Sequence, residues 1–155
     1  MAVPNIAVIG LGYVGLPLAL ALSRPFTVIG YDTDSARIKE LRDGHDRTGV
    51  IQPSVLRAAT FDITDDAAAI RSAQTFIITV PTPVDADNRP DLAHVHAACR
   101  TVGAAMKKGA VVVLESTVYP GVTEDVCGPA LAEASGLKAG KDFFLGYSPE
   151  RINPG

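Results

Sequence analysis

The sequence has no tryptophan, only two cysteines and three histidines, and nowhere a cluster of basic residues. Each scarcity excludes something. Cys99 and Cys127 share no metal-like or redox-like spacing, so neither a zinc module nor a disulfide-stapled secreted fold is indicated, and a reducing cytoplasm is the expected compartment. The net charge of −3 and the lack of Lys/Arg clusters argue against a nucleic-acid partner. No apolar run is long enough to span a bilayer, because the stretch near the start is interrupted by Gly10, Gly12, Gly15 and Pro17. The apolar beginning also lacks the basic leader and small-residue cleavage site of a signal peptide.

What is present suits one globular domain: 155 residues, 47 % apolar and 20 % charged. Short apolar runs alternate with helical patterns, which is how a parallel sheet covered by helices reads. The runs are Ile6 to Ile9, Phe26 to Tyr31, a weaker one at Thr60 to Ile63, Thr75 to Val80, Ala110 to Leu114, and Phe143 to Tyr147. Their near-continuous apolarity predicts strands buried on both faces. Between them, helices are expected at Val14 to Ser23, Ser35 to Arg42, Asp66 to Ser72, Leu92 to Lys107 and Val122 to Ala134. In the fourth of these, Val95, Cys99, Val102 and Met106 recur on one face, and Asp91 is placed to cap it. The expectation is an α/β fold of Rossmann type: a doubly wound, mostly parallel six-stranded sheet with helices on both faces. The loop Pro81 to Pro90 directly follows a core strand, where such a sheet presents its ligand site.

The strongest local motif is Gly10-Leu11-Gly12-Tyr13-Val14-Gly15, between the first strand and the first helix. Gly10 allows the tight turn, Gly12 lets backbone approach a pyrophosphate, and Gly15 lets helix pack on strand. The helix N-terminus adds free N–H groups and a positive dipole end. Asp32 ends the second strand about 20 residues on, where an acid binds the adenosine ribose hydroxyls. Its competing reading is a helix cap before Ser35. An acid there disfavours a ribose phosphate, so NAD is expected over NADP, although Arg37 is a nearby cation that could accommodate one.

Three further stretches accompany the glycine turn: Val80-Pro81-Thr82-Pro83, Glu115-Ser116-Thr117-Val118-Tyr119-Pro120-Gly121, and Gly146-Tyr147-Ser148-Pro149-Glu150-Arg151-Ile152-Asn153-Pro154-Gly155. In this order they resemble the UDP-glucose/UDP-N-acetylhexosamine 6-dehydrogenase family, and the resemblance covers essentially the whole chain. It implies oxidation of a sugar C6 hydroxymethyl group to a carboxylate with two NAD⁺, through a cysteine-bound intermediate. Gly10, Gly12, Tyr13, Val14 and Gly15 match the pyrophosphate contact, and Asp32 and Arg37 match the adenosine-side residues. Thr82 and Thr117 match threonines lining cofactor and reaction centre. Glu150 matches the glutamate assigned to thioester hydrolysis, while Arg151 and Ile152 match a segment touching the UDP-sugar. The UDP-glucose branch carries a second glutamate where Pro154 stands here, so the tail resembles the N-acetylhexosamine branch, which makes bacterial surface-polysaccharide precursors.

The family's nucleophilic cysteine, lysine and asparagine have no counterpart in these residues. Cys99 and Cys127 read as packing residues. His94 and His96 are two apart on a helix and cannot pair as metal ligands, His45 carries no signal, and no metal is expected. Residues 1–155 are therefore expected to be an NAD-binding domain cut from a longer enzyme, monomeric alone and inactive without its UDP-sugar domain; the full enzyme is expected to dimerise. A UDP-glucose 6-dehydrogenase, a free-standing NAD-binding redox sensor and a hydroxyacid or 3-hydroxyacyl dehydrogenase remain as alternatives.

Overall fold

The computed structural model describes residues 5–151. Six strands form one parallel sheet: β1 (Asn5–Ile9), β2 (Thr27–Tyr31), β3 (Asp62–Thr64), β4 (Thr75–Ile78), β5 (Ala110–Leu114) and β6 (Phe143–Tyr147), in the order β3-β2-β1-β4-β5-β6. This is the doubly wound order of dinucleotide-binding folds, whose topological switch lies between β1 and β4. Among the described residues the α-helices are α1 (Gly15–Leu22), α2 (Ser35–Arg42), α3 (Pro53–Arg57), α4 (Ala93–Ala105) and α5 (Gly128–Ser135).

Alternation along β1 builds the core on both faces at once. Ile6 and Val8 join Leu11, Leu16, Ala19, Ile38 and Leu41 under α1 and α2. Ala7 and Ile9 join Phe76, Val95, Cys99, Val102 and Leu131 under α4 and α5. Burying each large aliphatic side chain contributes about 1.5–3 kcal/mol, so the two clusters together hold the sheet between its helix layers.

Strands β5 and β6 and helix α2 fall where the sequence places them. Other elements differ, each for a local reason. β6 is a sheet edge, and Val111, Phe144 and Tyr147 are exposed, so burial on both faces holds for β1 but not for β5 and β6. The stretch expected as a helix at 66–72 is a single 3₁₀ turn over Ala69–Ser72. Helix α3 was not expected; Pro53 opens it, where a missing N–H costs nothing. The last helix begins with a π-type turn over Thr123–Cys127. Pro129 supplies no N–H and its ring crowds the carbonyl four residues back, which disfavours a regular α-turn there. The N-cap of α4 is Leu92 rather than Asp91, yet the Asp91 carboxylate still accepts from Ala93 N at 2.9 Å.

Candidate cofactor site

The carboxyl ends of the strands line up because sheet pairing continues one residue past several of them. Asp32 N donates to Thr64 O, Gly10 N to Tyr31 O, Thr79 N to Ile9 O, Glu115 N to Ile78 O, and Ser148 N to Leu114 O, all at 2.8–3.1 Å. The row along this edge therefore reads Asp32, Gly10, Thr79, Glu115, Ser148. A cleft of about 550 Å³ lies above it, lined by the glycine turn, Asp32, Thr82, Ser116, Thr117 and Glu150 among others.

The glycine turn is shaped by contacts that leave no choice of residue at two positions. Gly10 sits at φ +96°, which strains any other side chain. A Cβ on Gly15 would collide with Gly10 O and with Thr79 Oγ1. The Thr79 hydroxyl is within hydrogen-bonding distance of two carbonyls, Ile9 O at 3.0 Å and Gly10 O at 2.8 Å, which ties the turn to β4. Gly12 is different: nothing lies within 4 Å of where its Cβ would be, and the residue lines the cleft. Helix α1 has Val14 as its N-cap, with no side-chain cap bond and no acid in its first turn. That combination fits a pyrophosphate, since uncapped N–H groups and the helix dipole favour an anion close to bare backbone.

Asp32 accepts from Leu11 N at 2.8 Å and from Asp34 N at 3.0 Å, one bond to each carboxylate oxygen. Each oxygen retains a further acceptor site, so Asp32 can brace the turn and still receive ribose hydroxyls. It does not cap α2. That role belongs to Asp34, whose carboxylate accepts from Ala36 N and Arg37 N. Arg37 lines the cleft but is only 4 % exposed. Its Nε donates to Leu11 O at 2.9 Å and its guanidinium pairs with Asp46 at 2.7 Å. It therefore clamps the underside of the turn to the loop after α2.

Two hydroxyl staples join the loops after β4 and β5. Thr82 donates to Thr117 O at 2.6 Å, and Ser116 donates to Val80 O at 2.7 Å. Thr82 is thus a loop-bridging residue as well as a cleft residue, while the Thr117 side chain is exposed at the cleft. Glu150 also reaches the cleft, half-buried. Burial, and then the negative charge of Glu150, push the Glu115 carboxyl above its ordinary range. Arg151 is exposed and does not line the cleft. Ile152 lies outside the described residues.

Sequence reasoning missed several cleft residues. Thr79 and Ser116 are buried hydroxyls that stand one and two residues past an apolar strand; Thr79 was read as part of that strand, and Ser116 only as part of the Glu115 to Gly121 motif. Arg47 and Thr48 enter from the loop after α2, and His94, Ala97, Ala98 and Thr101 form one face of α4 toward the cleft. Their i, i+3, i+4, i+7 spacing was legible, but the stripe's polar members masked it. His96 is exposed and does not line the cleft. Cys99 and Cys127 are buried, free and outside it. Among the described residues no group of acids, histidines and cysteines could hold a metal ion, and no helix is long and apolar enough to cross a membrane.

Residues 4–155 match the family model for the NAD binding domain of the UDP-glucose/GDP-mannose dehydrogenase family. The chain is 50 % identical over 151 residues to Protein CapL of Staphylococcus aureus, covering 97 % of this chain and 36 % of that protein. It is 48 % identical over 156 residues to a UDP-N-acetyl-D-glucosamine 6-dehydrogenase of Pseudomonas aeruginosa, with the same coverage of 97 % and 36 %. Among solved structures, a UDP-D-ManNAc dehydrogenase from Pyrococcus horikoshii superposes with a TM-score of 0.87 at 38 % identity, covering 97 % of this chain and 37 % of that one. The chain thus spans little more than a third of the length of the relatives it matches.

Proposed function

The chain belongs to the UDP-glucose/GDP-mannose dehydrogenase family, as its NAD binding domain, and from that premise we propose that it is the cofactor half of a dehydrogenase oxidising C6 of a UDP-N-acetylhexosamine to a carboxylate. The observation that carries this reading is the cleft itself. One strand edge brings together an open glycine turn, the acid Asp32 and the Thr82, Thr117 and Glu150 group.

In this reading Gly10, Gly12, Tyr13, Val14 and Gly15 hold the pyrophosphate, and Asp32 receives the adenosine ribose. Arg37 acts from beneath by fixing Leu11. Bound NAD⁺ supplies the hydride acceptor. Thr117 and Glu150 lie at the reaction end, where a hydroxyl can hold water and a carboxylate can take or return its proton. Arg151, and Ile152 outside the described residues, are assigned to contact with the nucleotide sugar. That sugar is held against a further domain, in an enzyme that works in the cytoplasm as a homodimer. Pro154, in place of a second glutamate, and the P. aeruginosa relative favour the N-acetylhexosamine over glucose.

The test is to join this domain to the remaining domains of such an enzyme and follow NADH formation with UDP-N-acetylglucosamine, UDP-N-acetylgalactosamine and UDP-glucose in parallel. NADH formed only with the N-acetylated sugars supports the reading. NADH formed with UDP-glucose alone overturns the substrate assignment, and none with any sugar overturns the whole.

A further inference from the structure

Arginines line only one end of the cleft among the described residues. Its arginines, Arg37 and Arg47, lie at the Asp32 end and are engaged there with Asp46, Glu40 and Asp34. The opposite end carries no arginine or lysine among the described lining residues, and it holds two carboxylates, Glu115 and Glu150. Glu115 follows β5 directly and its backbone N–H is fixed to Ile78 O at 2.8 Å. Glu150 stands two residues beyond Ser148, which is fixed to Leu114 O at 3.0 Å. The two acids thus project from neighbouring strand ends.

A dinucleotide laid across this edge has a fixed direction. Asp32 sets the adenosine end and Gly12 the pyrophosphate, so the nicotinamide extends along the row past Thr79 toward β5 and β6. The oxidised ring carries a positive charge and the reduced ring carries none, while the remainder of the molecule is the same in both.

We propose that Glu115, together with Glu150, selects the oxidation state of the cofactor: the carboxylate pair at the nicotinamide end favours the cationic oxidised ring and helps release the neutral reduced one. This is electrostatic complementarity from side chains fixed before the ligand arrives. It rests on the cofactor-site reading above. It gives Glu115 a function of its own, one that needs no contact with the sugar. A reaction consuming two NAD⁺ in succession gains from such a bias, because the first reduced cofactor must leave before the second oxidised one enters.

The experiment is calorimetric titration of this chain and of its Glu115→Gln variant with NAD⁺, NADH and ADP-ribose, which lacks the nicotinamide. Glu115→Gln keeps the shape of the side chain and removes its charge. The expected result is NAD⁺ binding weakened about five-fold, roughly the value of one unit charge several ångströms away at a partly solvated site. NADH and ADP-ribose should change little. Equal weakening of all three ligands, or of none, overturns the proposal. If ADP-ribose fails to bind the unaltered chain, the cofactor-site reading itself falls. That outcome is distinct from the loss of NAD⁺ selectivity alone.

Discussion

Arg37 and Asp46 form an ion pair at 2.7 Å with side chains 5 % and 0 % exposed, and through it the loop after α2 holds the glycine turn. Burial alone would push the Asp46 carboxyl upward. Hydrogen bonds from Ile51 N, the Arg37 guanidinium and Thr48 outweigh that and hold it at about 2. The folded value lies below the unfolded one, so the stabilisation is complete above the unfolded pKa of about 3.9 and is lost as pH falls through about 2. The shift corresponds to about 2 kcal/mol. Asp46→Asn should therefore lower the melting midpoint clearly at neutral pH, with the gap to the unaltered chain closing in strong acid. A gap that is independent of pH would mean the carboxylate charge does not carry the effect.

Gly12 and Gly15 should separate binding from folding. Gly15→Ala places a methyl group into Gly10 O and the Thr79 hydroxyl, so thermal unfolding should show a loss on the scale of core overpacking, about 1–3 kcal/mol or more. Gly12→Ala meets no protein atom within 4 Å, so the melting midpoint should stay close to that of the unaltered chain. In the proposed binding mode its methyl group instead occupies the room a pyrophosphate needs. NAD⁺ affinity should fall more than about tenfold, equivalent to about 1.4 kcal/mol. Equal melting of the two variants would contradict the packing described here.

Much of this could be read from the chain, and what could not has a common cause. β5, β6, α2 and the glycine turn are specified by runs of neighbouring residues, and they fall where the pattern puts them. Asp32 was legible as an acid at a strand end, but its bond to Leu11 N was not, because the partners are 21 residues apart. The Thr79 and Ser116 staples reach 70 and 36 residues away, and only the sheet order brings those ends together. Arg37 was read as an adenosine-side residue, and it lines the cleft; its ion-pair partner Asp46 lies in a loop with no periodicity to reveal that it folds back beneath the turn. The exposed faces of Val111 and Phe144 were hidden for a related reason: apolar composition does not say which strand faces the helices cover.

Asp32 should govern the choice between NAD⁺ and NADP⁺. Its carboxylate is bound to two backbone N–H groups, so at the proposed ribose position it cannot swing away from a 2′-phosphate. NADP⁺ should bind at least about tenfold more weakly than NAD⁺, the cost of about 1.4 kcal/mol for setting a phosphate against a fixed acid. Asp32→Asn should weaken NAD⁺ and narrow the gap. Competition binding of the two nucleotides measures both effects, and an unchanged ratio in the variant would remove Asp32 from the discrimination.

Thr82→Val removes the donor to Thr117 O and leaves that carbonyl to solvent. One neutral hydrogen bond is worth about 1 kcal/mol, so the global melt should move little. The loops after β4 and β5 should loosen, and hydrogen exchange at the amides of Thr82, Val84 and residues 116–119 should quicken while β4 and β5 stay protected. Thr82→Ser keeps the hydroxyl and should restore slow exchange. Slow exchange in Thr82→Val with fast exchange in Thr82→Ser would assign the effect to packing of the methyl group rather than to the staple.

Glu115 should show the opposite pH behaviour to Asp46. Burial first, and the charge of Glu150 second, raise its carboxyl above the ordinary range. A raised folded value means that the native state prefers the proton more than the unfolded chain does. Stability from this group is therefore present below the unfolded value of about 4.3 and is lost as pH rises through the folded one. Glu115→Gln should raise the melting midpoint at neutral pH and lose that advantage in acid. If charge at this position serves cofactor selection, the same substitution that stabilises the fold also removes the NAD⁺ preference, the usual cost of placing like charges together at a functional site. Melting curves of both proteins across this pH range decide it: a variant that melts lower than the unaltered chain at neutral pH would show that Glu115 holds the fold together, leaving no stability cost for function to explain.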